Sequence, residues 1–189
     1  MPQRAEEIVR FWKEIGPEGW YTPDAELDAT IRDRFSGVWE EAAAGGLTDW
    51  RSNSTGALAY LIVTDQFPRN MFRDDPRAFA TDQMARDAAM IAVQRDFDLK
   101  TDEPIRQFFY LPFMHAEDPF DQDRCVRLFV ARMPQTGREN LRHARAHRDV
   151  IRRFGRFPHR NRMLGRSSTP EEARFLEKGG YGAVVNALA

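Results

Sequence analysis

Only one cysteine, Cys125, occurs in the chain, so no intramolecular disulfide is available and nothing ties the fold to an oxidising compartment. Long apolar runs are missing as well. No window approaches the roughly 18 to 20 uncharged apolar residues that a membrane helix needs, and the opening MPQRAEEIVRFW lacks the unbroken apolar stretch of a signal peptide. These absences predict a cytoplasmic chain with no membrane span. Lysine is scarce, because 25 of the 28 basic residues are arginine. Guanidinium binds carboxylate and phosphate through a fixed two-pronged geometry, whereas lysine acts as a flexible point charge. The bias therefore leans towards anion recognition, although a genomic preference for arginine would produce it too. Serine- and glycine-rich linkers are absent, as are the GxSxG, P-loop and GxGxxG patterns that would mark a nucleophile elbow or a phosphate-binding loop.

What the chain does contain is apolar residues spaced i, i+3, i+4, i+7, with no convincing alternation of β-branched and aromatic residues. The expected fold class is all-α, one helical domain over residues 1–189, since a chain of this size buries roughly 70% of its unfolded surface in a single core. The spacing predicts helices over about 3–15, 24–44, 54–66, 76–97 with a break near Thr81, 102–111, 119–133, 137–155 and 169–178. Thr169, Pro170 and Glu172 read as cap, first-turn proline and capping-box acid, and Gly179 and Gly180 stop the helix that they open.

Charge is unevenly spread. Residues 1–50 hold five basic against eleven acidic side chains, whereas residues 138–166 hold ten against two. The basic stretch draws anions, or is neutralised within the fold. On a helical wheel Arg138, Arg142, Arg145, Asp149, Arg152 and Arg156 form one stripe, while Leu141, Ala144, Val150, Ile151 and Phe154 face the other way with His147 among them. The helix over 54–66 similarly turns Asp65 inward with Leu58, Leu61 and Ile62. An inward carboxylate needs a partner, because burying an isolated charge costs several kcal/mol; the candidates are Arg69 and Asn70, just beyond, or the arginine and histidine groups of the second proline turn at 157–161, in which case Asp65 and His147 share one buried network. Each helix runs into a related turn, FPRN at 67–70 and FPHRN at 157–161, whose proline is expected to end or kink it.

His115, Glu117 and Asp118 follow a proline break at Pro112, and HARAH at 143–147 offers two histidines at i, i+4. Such residues suit a divalent metal, but the surrounding arginines oppose a bound cation, and neither a metal nor another cofactor is expected. Nucleic acid is disfavoured because Phe154 and Phe157 do not interleave with the basic stripe. Cys125 lies inside a helix and reads as a small core residue.

DQFPRNMFR, FFYLPFMHAED and HRDVIRRFGRFPHRNRMLGR, followed by STPEEARFL, resemble a bacterial family catalogued as domain of unknown function 924, over nearly the whole chain. The resemblance implies a tetratricopeptide-repeat-like superhelix of antiparallel helix hairpins and carries no established activity. It marks positions only: Asp65, Gln66, Arg69 and Asn70; His115 and Glu117; and His147, Arg148, Asp149, Arg153, Arg156, His159, Arg160 and Asn161. Ala116 stands where the family more often has serine, and His143 lies outside the motif. Three readings follow. The leading one is a binding module whose concave face, lined by Arg69, Arg156, Arg160, His115 and His147, holds an anionic small molecule or a peptide carboxylate. The second is an acid-base enzyme, a hydrolase or similar, in which His115 or His147 moves a proton and Asp65 or Glu117 orients the ring. The third is a polar network that only fixes helix packing.

Overall fold

The computed structural model describes residues 2–188, and these residues form helices and turns without a strand. They divide into two compact units, with the boundary between Pro112 and Phe113.

The first unit begins with α1 (Pro2–Trp20), bent where Gly16 takes a positive φ of 73° ahead of Pro17. Next comes α2 (Ala25–Ala43), whose first turn is capped by the Asp24 carboxylate accepting from the Glu26 and Leu27 N–H groups. Helix α3 (Ser54–Leu61) is the centre of the unit, with every residue from Gly56 to Leu61 buried. It packs against α1 and a 3-10 turn at Thr48–Ser52. Gly56 makes that turn possible, since a Cβ there would stand 2.2 Å from the Trp50 carbonyl oxygen. The helical path does not end at the first proline turn. A π-turn at Ile62–Gln66 leads directly into α4 (Phe67–Met71), with the Phe67 N–H donating to the Ile62 carbonyl. Pro68 thus falls in the first turn of α4, where a missing N–H is tolerated, and the expected stop at this proline is corrected. The break expected near Thr81 is present, because Thr81 precedes α5 (Asp82–Gln94) and a separate 3-10 turn covers Pro76–Phe79. Trp12, Phe35, Phe67 and Phe108 meet edge-on or stacked at 4.9 to 5.7 Å in the core of this unit.

The segment expected to be helical over 102–111 is instead a 3-10 turn at Ile105–Phe109 followed by the short α6 (Leu111–Met114), with Pro112 inside it rather than at a break.

In the second unit α7 (Pro119–Arg132), capped by Asp118, packs on α8 (Arg138–Phe154). Gly155 closes α8 in the left-handed region at φ 70°. A 3-10 turn at Pro158–Arg160 leads to α9 (Pro170–Glu177), which carries the expected capping box between Thr169 and Glu172. One further helix, α10 (Gly180–Ala187), packs back on α8 and was not expected from the sequence. Val150, Ile151, Phe157 and Phe175 form the core here, with Phe154, Tyr181 and Val184 against it. Burying each such side chain stabilises the unit by about 1.5–3 kcal/mol.

Candidate functional site

The site residues marked by the sequence fall into two sets, one in each unit, and the partners described below belong to the same unit in every case. In the first unit Asp65 lies in the π-turn, 1% exposed. Its Oδ1 is 3.3 Å from Arg69 Nη1, while Gln66 Nε2 donates to its Oδ2. Arg69 also reaches Asp82 at 2.9 Å and donates to the Asp65 carbonyl oxygen. The attraction of Asp65 and Asp82 raises the Arg69 pKa although burial opposes it. Asn70 points elsewhere, donating to Asp28 Oδ1 at 2.8 Å, and Arg73 pairs with the same carboxylate. The Asp65 partner expected from the sequence is therefore present. Asp28 and Asp82, which no motif flagged, complete the cluster.

In the second unit the polar groups converge on Phe157, itself buried. His147, from α8, meets its ring edge-on at a centroid separation of 5.3 Å. His115, from the segment after α6, stands 6.4 Å from His147. His159 lies 5.7 Å from Phe157, and the Arg160 guanidinium covers the same ring at 4.5 Å. Tyr181 of α10 packs on His147 at 4.5 Å and shares a hydrogen bond with His143 Nδ1.

Protonation follows from this packing. His147 Nδ1 lies 2.9 Å from the His143 carbonyl oxygen, which only accepts. Nδ1 must then carry the proton, and a neutral ring presents Nε2 as a lone pair. Burial pushes the His147 pKa down to about 3, helped by the nearby His115, Arg160 and His159 and opposed by the backbone hydrogen bond. His159 is lowered too, first by partial burial and then by Arg160, although its exposed edge lets solvent moderate the effect. Burial pushes the Tyr181 hydroxyl above the ordinary tyrosine value.

Two ion pairs brace this cluster. Glu117 accepts both arms of Arg166 at 2.6 and 2.9 Å and the Phe157 N–H at 2.8 Å. Burial would raise its carboxyl, but these donors and the Arg160 charge outweigh it and hold the pKa below the usual range. Glu172, 2% exposed, takes a two-pronged contact from Arg156 at 2.6 and 2.8 Å and accepts from the Thr169 N–H and Asn161 Nδ2. The Arg156 hydrogen bonds above all bring its pKa to about 2. Asn161 Oδ1 in turn accepts from Arg166. Arg156 and Asn161, expected to bind ligand, are thus engaged in holding the turn. Arg166 lay outside the expected site residues. Its signal was the tenth basic residue in a stretch with only two acids.

Among the described residues no group of three or more His, Cys, Asp or Glu side chains is placed to hold a metal ion. The two histidines of HARAH point their Nδ1 atoms at Tyr181 and at backbone. Cys125 is buried, and burial followed by the Asp121 charge pushes its thiol well above the ordinary value. It is inert as a nucleophile at neutral pH. No described helix is long and apolar enough to cross a membrane.

A family model described as "Bacterial protein of unknown function (DUF924)" matches residues 8–180. A solved structure of a protein of unknown function from Agrobacterium tumefaciens is 44% identical in sequence and superposes with a TM-score of 0.88. The match covers 94% of this chain and 98% of that one. No curated protein matches.

Proposed function

Because the chain belongs to this bacterial DUF924 family, whose function is unknown, membership brings no activity with it, and we propose from the second unit's geometry that the protein is a binding module for a small anion. The ligand carries a phosphate or carboxylate group together with a hydrogen-bond donor. The observation behind this reading is the gathering of His147, His159 and Arg160 around the single ring of Phe157, with His115 beside His147. Arg160 supplies charge and, with the outer histidines, N–H donors suited to an anion, while His147, fixed as a neutral ring, supplies an acceptor. A hydroxyl or protonated phosphate oxygen next to the anionic group satisfies both. The pair of Arg166 and Glu117 sets the turn that carries His159 and Arg160, so the donors are in place before the ligand arrives.

The geometry favours binding over proton transfer. A general base works best with a pKa near the operating pH, and His147 lies far below it. Glu117, which the enzyme reading places beside an imidazole, uses both oxygens on Arg166 and the Phe157 N–H. The test is a thermal-shift screen of the full chain against phosphorylated metabolites and acidic peptides, followed by calorimetry on any hit. Saturable stabilisation by an anion that Arg160→Gln abolishes supports the reading. Stabilisation by none of them contradicts it.

A further inference from the structure

A second site lies on the last two helices. An open groove of about 410 Å³ runs between α9 and α10, floored by Phe175, Ala183 and Val184 and rimmed by Arg153, Arg174 and Lys178. Its size falls within the range of small-molecule sites, which span roughly 300–1,000 Å³ and combine apolar walls with a few polar groups. The floor is firm because Phe175 and Val184 belong to the core cluster of the second unit. Arg153 is fixed at the rim, stacked over Phe154 at 4.7 Å and Phe175 at 5.6 Å and bonded to Glu171 at 3.0 Å.

Arg174 and Lys178 are different. They stand at i, i+4 near the end of α9, both exposed. No carboxylate partner is described for either side chain. Like charges at this spacing repel, so an anion between them relieves repulsion as well as adding contacts. We propose that this groove binds a small amphiphilic anion, its carboxylate or phosphate head between Arg174 and Lys178 and its apolar body along Phe175, Ala183 and Val184. The charge at the rim selects the head, and the apolar floor demands the tail. This site does not depend on the histidine cluster.

The experiment follows the Ala183 and Val184 methyl resonances of the full chain by NMR during titration with octanoate and with octyl phosphate. Octanol serves as the tail without charge, acetate as the head without tail. The proposal expects saturable shifts with the amphiphilic anions, neither control matching them, and affinity about tenfold weaker in the double variant R174E/K178E, a change of about 1.4 kcal/mol. Both substituted side chains are exposed, so an unchanged Tm confirms that the variant folds. Stronger binding of octyl phosphate assigns a phosphate head, and stronger octanoate a carboxylate. Unmoved methyls, octanol binding equal to octanoate, or undiminished affinity in R174E/K178E overturns the proposal. So does sedimentation as a dimer that Ala183→Trp disperses, because the groove's occupant is then a second copy of the chain.

Discussion

His147 shows how one side chain's surroundings set its chemistry. The helical wheel placed it on the apolar face of its helix, but only the structure supplies the rings of Phe157, Tyr181 and His115 around it. Its pKa of about 3 has a consequence for stability. Between the ordinary histidine value of about 6.5 and that folded value, the unfolded chain takes up a proton that the folded chain refuses. Stability therefore falls as pH drops through that window and rises with pH across it. His147→Phe removes the titrating group and keeps a ring. The variant should lose less stability than the natural chain between pH 7 and pH 5, by up to about 2 kcal/mol at pH 5, as measured by denaturant unfolding at both pH values. Glu172 has the same sign in a lower window: its carboxyl is held at about 2, so its contribution is fully present above the ordinary carboxylate value of about 4.3 and is lost as pH falls from there through about 2. Glu172→Gln leaves Arg156 with half its contact and should cost about 2 kcal/mol, less than a fully buried pair because Arg156 is part-exposed. Thermal unfolding at pH 7 checks it.

The helices were largely legible from apolar spacing and caps, and the places where that reading failed have physical causes. Pro68 was expected to end its helix, yet a wide π-turn of one extra residue lets the chain continue and turns Asp65 into the core. Nothing in local propensity reveals such a turn, and turns of this kind recur at functional positions. Asp65→Asn removes the charge facing Arg69 and should lower stability by about 3 kcal/mol; urea unfolding with an unchanged m-value is the expected signature. Helix α10 was missed because Gly180 and Gly182 are poor helix formers. Contacts of Tyr181 and Val184 with the core override that preference. At the end of α8, Gly155 holds a left-handed conformation with open space around the position of an added Cβ. Gly155→Ala should thus cost about 1 kcal/mol from backbone strain alone, and Gly155→Asn less, by the same unfolding assay.

The uneven charge seen in the sequence resolves into local pairs within the second unit. Asp123 takes Arg148 and Arg152, Glu171 takes Arg153, Glu172 takes Arg156, and Glu117 takes Arg166. The exposed pairs, Arg152 with Asp123 and Arg153 with Glu171, contribute at most about 1 kcal/mol each and weaken in salt, so they orient side chains rather than supply most of the stability. The basic excess was readable; which guanidiniums are spoken for was not, because the acids that meet them lie up to 49 residues away in the chain. The groups centred on Phe157 carry the functional reading. Its most direct test is an NMR pH titration of the four histidine rings in the full chain, with and without inorganic phosphate. Anion binding beside Arg160 should raise the pKa values of His147 and His159 together, and the shift should vanish in Arg160→Gln. Identical titration curves in the presence and absence of phosphate would contradict it.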